Sequence, residues 1–275
     1  MIKKHLKKER MKKLGIIITA AIFMSFYSCK DDDTDQIDDP IGGETIDLTY
    51  NFEADNDGWD GGIADIPADD ENLYEFEAAQ TTAPFGENEG VLLLSASNPN
   101  DVLFMYASKH VSGLEPNTRY DIDMSVSFVP DVVIDTTGFV DDTTGVAGDT
   151  TGVPSDTTGA GIDTTNLVAG NDTVVIKAGV VAEEPATEAD ELDFLQLVGI
   201  DIGENGVDGA DLIVLGTYPG NGAENDYPLQ TASTESPFSI TTNDEGELWL
   251  IVAAESSGTR AEIYIDNIEV AISKE

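Results

Sequence analysis

Cysteine is nearly absent. Cys29 is the single cysteine in 275 residues, so no disulfide can form within one chain. Positive charge is scarce as well: 13 Lys and Arg stand against 54 Asp and Glu, a formal net charge of −41. Seven of the cations, Lys3 to Lys13, and one acid, Glu9, fall in the first 28 residues, so the rest keeps 6 cations against 53 acids, or −47. A chain so negative repels nucleic acid and anionic lipid headgroups. Long apolar runs are missing. The longest, Leu14 to Tyr27, has 14 residues, short of the roughly 20 that span a bilayer as a helix. Sustained 3.6-residue periodicity is missing too. So are the sequence signatures of hydrolases, metalloproteases and phosphate-binding loops. His110 is the only histidine after the first 28 residues, and it reads as a surface residue rather than a base. With so many acids a carboxylate pair arises by chance, so a glycoside hydrolase gains no support from one. The chain is expected not to be an enzyme.

The first feature present is a leader. Basic residues precede the apolar stretch from Leu14 to Tyr27, and Ser28 and Cys29 follow. A basic segment, a short apolar segment and a small residue before the cut define an export signal. Met11 opens a compact leader of its own. Phe26-Tyr27-Ser28-Cys29 resembles a bacterial lipobox, with Phe26 as the apolar residue, Ser28 as the small residue before the cut, and Tyr27 as in the looser lipoboxes of the Bacteroidota. The resemblance implies removal of residues 1–28 and lipidation of Cys29. Lys30-Asp31-Asp32-Asp33 is similar to the tract that routes such lipoproteins to the cell surface. Two or three acyl chains on one cysteine hold a protein firmly, where one chain binds marginally. The expected location is therefore the outer membrane, lipid-anchored and surface-exposed, with residues 29–45 as an acidic tether. Lipidation would use the only thiol, and bound metal is then the obvious staple for an exported domain rich in Asp and Asn.

From Ile46 onward, runs of five to nine residues with strand character alternate with Gly, Asn, Asp and Pro clusters. Ile46–Phe52 and Tyr120–Phe128 alternate apolar and polar residues. Further candidates are Leu73–Phe76, Gly90–Ser95, Val102–Ala107, Thr173–Lys177, Leu212–Gly216, Leu248–Val252 and Ala261–Val270. The segment 183–190 is the best helix candidate, and Pro185 reduces it to a loop or one short turn. Many short strands with turns between them predict an all-β fold, an antiparallel sandwich. Gly113-Leu114-Glu115-Pro116-Asn117-Thr118-Arg119-Tyr120 reads as a structural turn into a strand. Residues 131–166 interrupt the pattern. Asp-Thr-Thr begins at Asp135, Asp142, Asp149, Asp156 and Asp163, a step of seven. Gly, Thr and Pro154 exclude a coiled coil, and the units hold too few large apolar residues to bury a core. They read as a disordered insertion. One discontinuous domain, 46–130 plus 167–275, remains.

The segments Tyr50-Asn51-Phe52-Glu53-Ala54-Asp55-Asn56-Asp57-Gly58-Trp59 and Tyr264-Ile265-Asp266-Asn267-Ile268 resemble the opening and closing strands of jelly-roll carbohydrate-binding modules and galactose-binding-like domains. The resemblance implies that the first and last strands pair, with a structural Ca²⁺ near their join at Glu53 and Asp266. Hard oxygen donors suit that ion. Asn205, Asp208 and Asp211, on a Gly-rich loop, form a second, weaker candidate. Polysaccharide binding needs exposed aromatic rings. Trp59, Tyr74, Phe85, Tyr106, Tyr218, Tyr227 and Trp249 are available. Trp249 in Leu248-Trp249-Leu250-Ile251 reads as core, and the resemblance implies that Trp59, in a Gly-rich loop, packs on the sandwich. Tyr218 and Tyr227, flanking Pro219-Gly220-Asn221-Gly222, read as loop contacts. The expectation is a monomeric, non-catalytic glycan-binding protein. A structural or adhesive envelope protein with no small ligand is the alternative.

Overall fold

The computed structural model describes residues 35–36, 45–85, 89–99, 103–133, 173–220 and 228–275. Cys29, Tyr227 and the Asp-Thr-Thr repeats lie outside the described residues. Among those described, no helix is long and apolar enough to cross a membrane. The elements are β1 (Asp35–Gln36), β2 (Ile46–Tyr50), β3 (Trp59–Ala64), β4 (Ile66–Pro67), a 3₁₀ turn (Ala68–Leu73), β5 (Glu77–Thr82), β6 (Gly90–Ser97), β7 (Phe104–Ser112) and β8 (Arg119–Val133). After the repeats come β9 (Thr173–Val181), β10 (Thr187–Ala189), β11 (Phe194–Leu197), β12 (Leu212–Pro219), β13 (Gln230–Ser233), β14 (Phe238–Thr241), β15 (Leu248–Ser256) and β16 (Arg260–Lys274).

Two large sheets form an antiparallel jelly-roll sandwich. The first, sheet A, has the order β1-β7-β15-β9-β12, with β3 also on β7. Sheet B has the order β13-β8-β16-β6-β5, with β14 on β8 and β2 on β16. The period of two along each strand aims alternate residues inward. Val174, Ile176, Ala178 and Val180 of β9 meet Ile122, Met124, Val126 and Phe128 of β8 in one core. The first and last strands of the domain pair, Tyr50 opposite Ile268 and Ile46 opposite Ile272. Tyr50 and Trp59 touch edge to face with centroids 5.4 Å apart at one end of that core.

β9 and β15 carry buried residues on both faces. Their near-continuous apolar sequence has a physical cause: part of the outer face of sheet A is covered as well. The cover is a small sheet, β10-β11-β4, with the loop that follows β11. A second cluster forms beneath it from Ala64, Phe104, Tyr106, Val181, Leu197, Ile202, Leu212, Ile251 and Ala253.

Three local expectations need correction. Leu73–Phe76 is not a strand. Leu73 ends the 3₁₀ turn, and the buried Tyr74 closes it with its backbone N–H on Glu71 O; the strand is β5, just after. Segment 183–190 holds no helix. Thr187–Ala189 pairs with Leu195–Leu197, and the Asp190 carboxylate accepts the N–H groups of Leu192 and Phe194 to turn the hairpin. β8 runs through Val133 rather than stopping at 130, because its last residues still pair with Arg260–Glu262. The turn before β8 matches its sequence. Asn117 takes a positive φ of 52°, and Glu115 N–H donates to the Tyr120 hydroxyl at 3.0 Å.

Candidate functional site

Three places on the sandwich carry chemistry. The first is the join of β2, β6 and β16. β6 covers β16 from Arg260 to Ile265, and β2 covers it from Ile268 onward. A bulge falls between them and leaves Asp266 out of the ladder. Bulges re-aim a side chain in this way. Glu53 follows β2, and its carboxylate accepts the N–H of Gly90 at 3.4 Å. Glu89 precedes β6. Burial pushes the Asp266 carboxyl above its ordinary value, and the charges of Glu89 and Glu53 push it further. The structure thus brings Glu53 and Asp266 into electrostatic reach and adds Glu89, which sequence reasoning missed. Among the described residues no three Asp, Glu, His or Cys side chains are grouped tightly enough to form a cage by themselves. The donor chemistry still suits a hard cation: the charges of Glu53 and Glu89 act on Asp266 at one bulge, and carboxylate oxygens are hard donors.

The second place is the loop 201–211. Two of its acids hold backbone amides. Asp208 accepts the N–H of Val214 at 2.7 Å, and Asp211 accepts the N–H of Asp201 at 2.7 Å. Asn205 is exposed. The cation at the heart of this loop is Lys177. Its ammonium donates to Ile202 O at 2.7 Å and Glu204 O at 3.0 Å and pairs with Glu255 at 2.6 Å. Glu255 also accepts the N–H of Gly206 at 2.7 Å. Both ends of the pair are buried, Lys177 at 0% and Glu255 at 5% exposure. One signal in the sequence pointed here: a lone Lys in Val174-Val175-Ile176-Lys177-Ala178.

The third is the outer face of sheet A around Trp249, at the margin of the second cluster. Trp249 does not belong to the inter-sheet core. Leu248 and Leu250 face inward, so alternation turns Trp249 outward, where it is half-buried. It lies opposite His110, and the two rings stack 4.5 Å apart at 13°. His110 also pairs with Glu247 at 3.5 Å. In the next rung Asp60 lies opposite Ser108 and Ser108 opposite Ile251. Tyr106, one rung further, is buried with its hydroxyl pushed up by burial. Its ring lies over Gly62, where a Cβ would meet the Tyr106 hydroxyl at 2.5 Å.

Tyr218 sits in β12 rather than in a loop. Its ring meets Phe128 edge to face at 4.9 Å and covers Gly216. Trp59 is in the core, as the resemblance implies.

No protein-family model matches the chain, and no curated protein does. Among solved structures it is similar to the CBM22-1 xylan-binding domain of Xyn10C from Paenibacillus barcinonensis, with 11% identity over 86% of this chain and 99% of that one, at a TM-score of 0.37. It is similar to a carbohydrate-binding module that recognises mannan, with 9% identity over 84% and 99% of the two chains and a TM-score of 0.35. It is also similar to the K1 cleaved adhesin domain of Lys-gingipain from Porphyromonas gingivalis, with 11% identity over 82% and 97% and a TM-score of 0.32. Each is a distant likeness, and the sandwich itself rests on the strand pairings of this chain.

Proposed function

We propose that this chain is a lipid-anchored, cell-surface protein that binds a polysaccharide on the outer face of sheet A at Trp249. One observation carries the reading: Trp249 stands outward and partly exposed, stacked on His110 at the margin of the second cluster. A braced aromatic ring offers apolar area at little entropic cost. Pyranose faces present C–H groups to such rings, and their hydroxyls can pair with Ser108, Asp60 and Glu247 on the same patch. Cys29 holds the protein to the outer membrane, and the acidic segment between Cys29 and β1 spaces the sandwich from it. Calcium at Glu53, Glu89 and Asp266 clamps the first and last strands together. No second subunit is needed for any of these roles. A protein-capture reading draws on a different observation, the exposed Leu192 and Phe194 of the β10–β11 hairpin.

Affinity electrophoresis against neutral polysaccharides tests the binding claim. Trp249→Ala is expected to weaken retardation about 10- to 100-fold, the loss of 1.4–2.8 kcal/mol. Tyr218→Ala is expected to leave binding intact and to cost stability, because its ring packs on Phe128. Equal retardation of wild type and Trp249→Ala removes the site. No retardation by any glycan, with capture through Leu192 and Phe194 instead, favours the second reading. For the anchor, Cys29→Ala is expected to move the protein from the membrane fraction to the soluble one; retention there would exclude lipidation as the hold.

A further inference from the structure

The outer face of sheet B bears an open groove of about 410 Å³. It is independent of the Trp249 face, on the opposite side of the sandwich. It crosses four strands, β2, β16, β8 and β13, from Asp47 and Thr49 to Ser233 and Thr234. The floor is Ala271, small enough to leave a furrow between Asp47 on one side and Asp123 on the other, both directly opposite it. The next rung is Thr49, Glu269, Ser125 and Ser233. Hydroxyls link along the β8 side: Ser233 donates to Ser125 at 2.9 Å, and Thr234 donates to Asp123 at 3.3 Å.

Charge decides the class of occupant. Three carboxylates line the groove and no basic side chain does. The five described cations are engaged elsewhere. Lys109 donates to Asp57 O and Lys177 pairs with Glu255. Arg119, Arg260 and Lys274 pair with Glu275, Glu262 and Glu115. A ligand complementary to the groove is therefore cationic.

Spacing decides between polymers. Neighbouring strands lie about 4.8 Å apart, so Asp47 and Asp123, two strands apart, are separated by roughly 10 Å at the backbone. Side chains on one face of an extended peptide repeat every ~6.6 Å, out of step with those carboxylates. The disaccharide repeat of an extended linear polymer of pyranoses matches them, one sugar per strand. Its hydroxyls find partners in Thr49, Ser125 and Ser233.

We propose that this groove binds a linear amino-sugar polymer, its ammonium groups on Asp47, Asp123 and Glu269 and its hydroxyls on the serines and threonines. The test is calorimetry of the chain lacking residues 1–28 with β-1,4-linked glucosamine oligomers, at mildly acid pH where the amines are charged. Binding is expected to weaken about 10-fold or more in Asp47→Asn/Asp123→Asn. N-acetylated oligomers are expected not to bind at this face. Both acids are exposed, so the double variant is expected to fold with a stability change within about 0.5 kcal/mol per site. It removes only two charges from a strongly negative surface, so non-specific attraction would barely change. Equal binding of wild type and double variant overturns the proposal. So does tighter, variant-sensitive binding of oligolysine, which would make the groove a peptide site.

Discussion

Lys177→Met is expected to cost about 3–5 kcal/mol of stability, read as a lower urea midpoint at unchanged slope. Three steps lead to that figure. The substitution leaves the Glu255 carboxylate buried beside an apolar side chain, its remaining donor being the N–H of Gly206. It also strips Ile202 O and Glu204 O of their ammonium donor. An uncompensated buried charge is among the largest single penalties a fold can meet. The loop 201–211 should loosen with it, because the ammonium ties that loop to β9 and β15. Limited proteolysis is expected to cut within the loop in the variant and not in wild type. Lys177→Met/Glu255→Met is expected to recover more than half of the loss, since it removes the orphaned charge along with its partner. A single-variant cost under about 1 kcal/mol, at the level of an exposed ion pair, would show that water reaches the pair and that the loop stands without it.

That pair shows what could and could not be read from the sequence. Alternation along Ile46–Phe52 and Tyr120–Phe128 reports a half-buried strand directly, and both β2 and β8 lie there. β9 and β15 lack the alternation because a third layer covers part of their outer face. The same layer turns Lys177, an outward residue, into a buried one. Nothing local to residues 174–178 says that a loop some 25 residues later will supply two carbonyls. Asp208 and Asp211 stand out because acids near glycines suit a metal, and one oxygen of each accepts a backbone amide. Glu53 and Asp266 are what the resemblance to jelly-roll modules implies. Glu89 is not, because its role depends on where β6 begins beside the bulge. For Trp249, flanking Leu248 and Leu250 suggest the inter-sheet core, while the period of two assigns it to the other face, where it packs against the second cluster.

In excess calcium the domain is expected to melt about 5–10 °C higher than in EDTA. A ligand bound only to the folded state at 100 times its dissociation constant stabilises by about 2.7 kcal/mol, and each kcal/mol moves the midpoint by about 2–4 °C at this size. The source of the gain is the repulsion at the β16 bulge. The folded state raises the Asp266 carboxyl above its unfolded value through burial, Glu89 and Glu53. A carboxyl raised in this way binds its proton more tightly in the folded state, so stability falls as pH climbs from the unfolded value through the folded one. At neutral pH the whole penalty is present, and below the unfolded value it is gone. A cation at the three carboxylates offsets the same penalty without protonation. Asp266→Asn is therefore expected to raise the melting temperature in EDTA at neutral pH, to remove this acid-side gain, and to shrink the calcium response. The three readouts separate the alternatives. A calcium shift undiminished in Asp266→Asn would place the ion elsewhere. No shift in wild type, together with a stabilised Asp266→Asn, would leave the bulge as a site of repulsion that the strand pairing of β2 with β16 overcomes unaided.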